Sequence, residues 1–109
     1  MTENLIRLTY VSTFQPDITD TNIDDLVAKA ASFNQAQGIT GVLAIDKDRV
    51  CQILEGPKDH VERLFRSIQS DRRHHTVTEI DTRPIDTKSF EAWGMVRRDM
   101  IDIVIHALA

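Results

Sequence analysis

Residues 39–57 read ITGVLAIDKDRVCQILEGP, and this stretch decides the fold. Residues 39–46 and 49–55 are two apolar-rich runs with the length and composition of β-strands. Only residues 47–48 separate them, which is the spacing of a tight hairpin turn. The Gly-Pro pair at 56–57 predicts that a helix follows at once, because proline is well tolerated in the first turn of a helix.

Upstream of the hairpin, the pattern predicts one strand and one helix. Residues 5–12 alternate between two faces with a period of two, which is typical of a strand. Residues 22–37 carry apolar side chains at helical spacing. Thr21 followed by Asp24 resembles a capping box that would start this helix, and Gly38 would end it.

Downstream, a second helix, two strands and a short terminal segment are predicted. Residues 76–85 read as a fourth strand, residues 90–96 as a fifth, and residues 100–109 as a short terminal helix. The second helix has an apolar stripe formed by Val61, Leu64, Phe65 and Ile68.

The order of these elements predicts an α+β fold, the ferredoxin-like βαββαβ sandwich with an additional fifth strand. Right-handed crossovers would place the first and third strands side by side. Both helices would then lie on one face of a mixed sheet. Many unrelated activities use this scaffold, so the fold alone does not predict a function.

Composition indicates a small soluble domain. The chain has 109 residues, of which 41% are hydrophobic and 28% charged, and its net charge of -4 does not favour nucleic acid or an anionic membrane as partner. The N-terminal residues do not resemble a signal peptide, and no apolar run reaches the length of a membrane span. A single cysteine, Cys51, excludes an intrachain disulfide and fits a cytoplasmic location.

Four polar residues fall on faces that periodicity turns inward. Tyr10 follows Ile6 and Leu8 on the first strand, and Gln52 lies on the inward face of the third strand. Asn34 and Asp71 continue the apolar stripes of the two helices at their C-terminal ends. Each alone has an ordinary structural explanation, such as a packed tyrosine ring or a solvated carboxylate. Together they favour a pocket for a planar heterocycle, whose identity these residues leave open.

Five stretches resemble the BLUF family of blue-light sensors that use flavin. They are LIRLTYVS, NQAQGITGVLAI, CQILEGP, IQSDRRHH and FEAWGM, in the family's order and spacing over residues 5–95. The resemblance implies a noncovalently bound FAD, although the ring pocket alone would accept FMN or riboflavin. It also implies a BLUF-like domain over residues 1–96. Residues 97–109 would form a short C-terminal extension that could be helical and cover the second sheet face.

The resemblance also implies roles for the inward polar residues. Tyr10 matches the photoactive tyrosine that gives an electron and a proton to the excited flavin. Gln52 matches the glutamine between that tyrosine and the flavin, whose hydrogen bonds rearrange in the signalling state. Asn34 matches the asparagine at the polar edge of the ring, and Ser12 matches a serine after the tyrosine.

Four further positions match positions that have roles in the family. Asp71 and His74 match flavin-contacting positions after the second helix, and Trp93 and Met95 match a pair on the fifth strand that relays the glutamine change outward. For Trp93 and Met95, ordinary packing is the alternative.

The chain departs from the family pattern at several positions. Phe33 precedes Asn34 where a polar residue is frequent, and Ser67 and Lys88 each stand where arginine is frequent. In the hairpin, Ile45 and Val50 replace aromatic residues. These departures bear on flavin affinity and on the lifetime of the signalling state.

No other site chemistry is predicted. His74 and the adjacent His75 would point apart on a strand, and no Cys–His ligand spacing is present, so we expect no metal. Cys51 lies on the opposite face from Gln52 and reads as a packing residue. Because no nucleophile has a positioned base, we expect a sensor and not an enzyme.

The second sheet face predicts an assembly. Its side chains are too apolar to remain in water, so the terminal segment, a second copy or an effector would cover them. We expect a homo-oligomer and an output to a separate partner protein, with neither nucleic acid nor membrane involved. The alternative is a ferredoxin-like interaction module, derived from a BLUF domain, that does not respond to light. The side chains on this face are Leu5, Val11, Val42, Ala44, Cys51 and Ile53.

Overall fold

Two helices pack on one face of a five-stranded sheet. The computed structural model describes residues 4–90 and 95–98. The elements are β1 Leu5–Phe14, α1 Asp20–Ala36, β2 Thr40–Asp46, β3 Arg49–Pro57, α2 Lys58–Gln69, β4 His74–Ile85 and β5 Met95–Arg98. Neither helix among these residues is long and apolar enough to cross a membrane.

The sheet has the strand order β4-β1-β3-β2-β5. The pairs β1–β3, β1–β4 and β2–β3 are antiparallel, and β5 joins β2 in parallel. The predicted ferredoxin-like fold with a mixed sheet is therefore confirmed, as is the adjacency of the first and third strands. Tyr10 lies directly opposite Gln52 in the β1–β3 register.

The core between helices and sheet contains alternate residues of the central strands. Ile6, Leu8 and Leu54 pack there against Val61 and Phe65 of α2. Alternate residues share a face of a strand, which is why Tyr10 and Gln52 also point toward the helices.

The second sheet face has its own apolar cluster, formed by Val42, Ala44, Cys51 and Ile53, with Phe90 packed against it. All four side chains are buried within a single copy of the chain. Their apolar character therefore gives no reason to require a second copy. The oligomeric state stays a prediction.

The start of α1 differs from the prediction. Thr19, not Thr21, is the N-cap: its side chain accepts from the Asn22 amide at 3.1 Å, and the Asn22 side chain accepts from the Thr19 amide at 3.1 Å. Two threonines with polar residues three positions later compete in this sequence, and the earlier pair forms the capping box. Gly38 follows the helix with a φ of 69°, a conformation that favours glycine.

The fifth strand is described over Met95–Arg98, whereas the prediction placed its start at Phe90. Phe90 lies in a bend and packs against the second-face cluster instead. Trp93 and the predicted helix at residues 100–109 lie outside the described residues.

Candidate flavin-binding site

A cavity of about 290 Å³ lies between the two helices and the central strands. Its walls are mostly aliphatic and aromatic, with a few polar side chains among them, as is usual for pockets that hold organic ligands. The apolar walls include Phe14, Leu26, Val27, Leu43, Val50 and Ile68.

Tyr10 and Gln52 form the floor of this cavity. The Tyr10 hydroxyl donates a hydrogen bond to Gln52 Oε1, and both residues are buried. The Tyr10 ring packs against Phe65, with ring centroids 5.5 Å apart. These contacts fix the phenol at the cavity wall with its hydroxyl directed at the carboxamide.

Burial keeps the Tyr10 phenol neutral. Loss of hydration raises the pKa of Tyr10 well above its ordinary value, and the Cys51 and Asp71 side chains raise it further. Burial also raises the pKa of the Cys51 thiol, which lies on the other sheet face. Tyr10 can therefore donate a hydrogen bond over the whole physiological pH range.

Asn34 presents an unsatisfied acceptor. It lies near the C-terminal end of α1, is only 1% exposed and lines the cavity. Within the described part of the chain, its Oδ1 has no hydrogen-bond partner. A buried carbonyl oxygen left in this state is costly, so its position on the wall fits a ligand that brings an N–H group.

His74 connects β1 with the end of α2. Its Nε2 lies 2.7 Å from the carbonyl oxygen of Ile68, and its Nδ1 lies 2.9 Å from the hydroxyl of Ser12. A carbonyl only accepts, so Nε2 donates to Ile68, and Nδ1 shares a hydrogen bond with the Ser12 hydroxyl. His74 also lines the cavity and stands edge-on to the Tyr10 ring.

Asp71 lies at the mouth of the cavity as an ionised carboxylate. It accepts from the Arg73 amide at 2.9 Å and from Arg73 Nε at 3.0 Å. These side-chain hydrogen bonds lower the pKa of Asp71, and they raise that of Arg73. Lys29 also lines the cavity, so two cations and one carboxylate line its wall.

The structure thus brings five of the predicted site residues to one cavity and places Ser12 in contact with one of them. Met95 lies elsewhere, opposite Gly41 at the far edge of the sheet. Of the two departures from the family pattern near the helices, Ser67 lines the cavity, and Phe33 lines it while remaining 51% exposed.

Sequence reasoning missed three contributions to the site. Phe65 was assigned to a helix stripe without its contact to the Tyr10 ring. Lys29 and Arg73 were not recognised as wall residues. Arg73 carried a signal, because it follows Asp71 by two residues, whereas nothing in the local pattern singles out Lys29.

Isoalloxazine fits these residues. It is a planar ring system with apolar faces and one polar edge of alternating carbonyl and N–H groups. The apolar walls suit the faces, and the unpaired Asn34 oxygen suits an N–H of the edge. Within the described residues, no three of His, Cys, Asp or Glu are grouped to hold a metal ion.

Fold and cavity together define a ferredoxin-like domain that can hold a planar ligand between helices and sheet. A family model described as "Sensors of blue-light using FAD" matches residues 5–96. The chain belongs to this family, the BLUF domains, which bind flavin.

Several characterised proteins are similar to the chain. It is 28% identical over 102 residues to the blue light- and temperature-regulated antirepressor BluF of Escherichia coli, covering 94% of this chain and 25% of that protein. It is 33% identical over 86 residues to the photoactivated adenylate cyclase subunit beta of Euglena gracilis, covering 79% of this chain and 10% of that protein. The dark-state structure of the BLUF protein BlrB superposes with a TM-score of 0.84 at 29% identity, over 100% of this chain and 81% of the other.

The chain therefore spans a quarter or less of these two curated relatives. What the similarity shows is a flavin-binding blue-light sensor domain with a ferredoxin-like fold.

Proposed function

We propose that the chain binds FAD noncovalently between α1 and α2 and reports blue light through a hydrogen-bond switch of Tyr10 and Gln52. The observation that carries the proposal is the buried Tyr10–Gln52 hydrogen bond on the cavity wall. Bound flavin would supply the absorption of blue light and the acceptor for an electron from Tyr10. The remaining steps are performed by side chains of the chain itself.

A carboxamide can reverse its hydrogen-bonding groups without movement of the backbone. While Tyr10 donates to Gln52 Oε1, the other end of the carboxamide, Nε2, presents N–H donors to its surroundings. If the carboxamide turns over, its oxygen and nitrogen exchange places; if it tautomerises, a proton moves from the nitrogen to the oxygen. Either change exchanges the positions of donor and acceptor. The phenol and the cavity then meet different partners, which changes the hydrogen bonds around a bound ring.

Three other residues would hold the ring in register with this pair. Asn34 would accept from an N–H of the polar edge through its unpaired Oδ1. His74 would keep the end of α2 close to β1 through Ile68 and Ser12. Asp71 and its partner Arg73, which also line the cavity, would hold the polar ribityl chain.

The output would pass to a separate protein in the cytoplasm, and the chain itself would catalyse no reaction. Support for a protein partner comes from the E. coli relative, which is named an antirepressor. Trp93 and Met95 would relay the change at Gln52, and the working unit would be a homo-oligomer. Met95 lies on β5, the edge strand next to β2, so a change there would reach the rim of the sheet.

The deciding experiment is an absorption spectrum of the purified, flavin-loaded chain before and after blue light. We expect the flavin bands to move reversibly to longer wavelength. Tyr10→Phe and Gln52→Leu should abolish this shift while flavin remains bound. Cys51→Ala is the matched control, because Cys51 adjoins Gln52 in sequence but points to the opposite sheet face. Loading with FAD, FMN or riboflavin in turn identifies the preferred flavin.

A folded chain that takes up none of these flavins would refute the proposal and leave the light-insensitive interaction module. Flavin uptake without a light-driven shift would refute the switch alone.

A further inference from the structure

A buried carboxylate on the second sheet face has no part in the flavin site. Glu55 is fully buried, and its two oxygens have different partners. Oε2 accepts from Arg7 Nε at 2.7 Å, and Oε1 accepts from the backbone amide of Ser89 at 2.6 Å. Arg7 Nη2 also donates a hydrogen bond to the Ser89 hydroxyl oxygen at 2.8 Å. We call these three residues the Glu55 clamp.

The clamp holds the segment that crosses the sheet. β4 and β5 occupy opposite edges of the sheet, and residues 88–90, which follow β4, lie over the strands between them. The distance from β4 to β5 across the sheet is about 19 Å at the usual strand spacing. Arg7 and Glu55 lie opposite each other on β1 and β3, at the centre of the sheet. Ser89 is therefore fastened about halfway across.

The neighbours of Ser89 are held as well. Phe90 packs against the second-face cluster, and Lys88 Nζ donates to the carbonyl of Gly38 at 3.1 Å. Three hydrogen bonds and one apolar contact therefore hold residues 88–90 on the sheet. By contrast, β5 itself is four residues long, and among the described strands it pairs with β2 alone.

The register of β5 brings it level with the proposed switch. Leu43 of β2 lies opposite Gln52 of β3 on one side and opposite Arg97 of β5 on the other. Arg97 is therefore at the same level of the sheet as Gln52, which belongs to the proposed switch. A slip of one residue in a strand reverses which side chains face each side of the sheet. The clamp therefore holds the chain at Ser89, six residues before β5 begins at Met95.

A second donor for the carboxylate stands beside the clamp. Thr40 lies opposite Glu55 in the β2–β3 register, is 1% exposed, and its hydroxyl has no partner within the described residues. Side chains opposite each other in an antiparallel pair share a face and lie close together. Glu55 would thus still have a donor within reach if Ser89 moved away, which makes two arrangements of the clamp available.

From this geometry we infer that Glu55 is a positioning residue for the signal, holding the crossing segment and β5 in register until the change at Gln52 releases them. The inference rests on the proposed light-sensing function. Glu55 does not line the flavin cavity, so its replacement should leave the spectral shift intact.

The test uses the flavin-loaded full chain and its single tryptophan, Trp93, which follows the clamp in sequence. Acrylamide quenching of Trp93 fluorescence is measured in the dark and under blue light. We expect wild-type quenching to differ between the two states. Glu55→Gln replaces one acceptor oxygen with a donor group, so it cannot satisfy both Arg7 and Ser89. Loss of one charge-assisted hydrogen bond should shift the balance toward release about tenfold.

The expected result is specific to positioning. In Glu55→Gln, quenching in the dark should approach that of the illuminated wild type, and light should add little, while the flavin bands still shift. A merely structural anchor would change the dark and illuminated values equally and preserve their difference. Glu62→Gln is the control, because it breaks an exposed ion pair with Lys58 on α2, which packs on the opposite face of the sheet from the clamp.

If Glu55→Gln does not fold, the pair Ser89→Pro and Ser89→Ala decides the matter. Proline removes the amide that donates to Glu55, and alanine keeps it, so only proline should reproduce the released quenching. Wild-type quenching that is the same in light and dark, or an unchanged difference in Glu55→Gln or Ser89→Pro, would overturn the inference. A wild type without a spectral shift would instead refute the proposed function.

Discussion

The unpaired oxygen of Asn34 leads to a prediction in which stability and flavin binding change in opposite directions. Asn34→Leu replaces the amide with an apolar side chain of similar size. In the flavin-free chain, this removes a buried acceptor that has no partner in the described residues, an arrangement that costs about 1–3 kcal/mol. Leucine is also the better helix former by up to about 0.5 kcal/mol.

The free energy of unfolding of the flavin-free chain should therefore rise by about 2 kcal/mol, the middle of that range. Flavin should bind roughly tenfold more weakly, because one hydrogen bond to the ring edge is lost. Urea denaturation of the flavin-free chain gives the first quantity, and a titration of flavin fluorescence gives the second.

Gln35→Leu provides the matched control for this experiment. Gln35 is adjacent in the same helix and exposed, so its replacement should leave flavin affinity unchanged. The reasoning fails if Asn34→Leu destabilises the flavin-free chain, or if flavin binds to it as tightly as to the wild type.

Two further predictions concern Tyr10 and His74, which both line the cavity. Tyr10 is the only tyrosine, and its raised pKa means that unfolded chains release the phenol proton at lower pH than folded ones. The native chain should show no tyrosinate absorbance at pH 10–11. Its free energy of unfolding should fall as pH rises above about 10, the pKa of tyrosine in the unfolded chain. Tyrosinate absorbance in the native chain near pH 10 would contradict this. His74→Leu leaves a carbonyl and a hydroxyl without their partner and should lower the free energy of unfolding by about 1–3 kcal/mol in urea. The exposed His75→Leu should change it by less than about 0.5 kcal/mol, and equal effects would mean that His74 has no special role.

Local periodicity was sufficient to predict the order of the elements and the position of the Tyr10–Gln52 pair. Strand alternation fixed the faces of both residues, and the crossover rule made their strands neighbours. Their meeting is a consequence of register, with Tyr10 directly opposite Gln52. The direction of the hydrogen bond and the packing of Phe65 depend on side-chain geometry that periodicity does not contain.

The Glu55 clamp was beyond the reach of sequence patterns. Glutamate is rarely buried completely, so a glutamate at the end of an apolar strand is expected to face water. Its partners lie 48 and 34 residues away along the chain. Phe90 was assigned to a strand for a related reason, because an apolar residue in a crossing segment cannot be told from one in a strand by hydrophobicity alone.

The two outer strands of the sheet have unequal attachments. β4 is twelve residues long and pairs with β1 along most of its length, whereas β5 adds four residues to β2. Local opening of a protein begins where the fewest bonds must break. Opening the rim at β5 should therefore cost less free energy than opening the edge at β4. Evolution could refit that rim to new targets while the light-absorbing interior stayed the same.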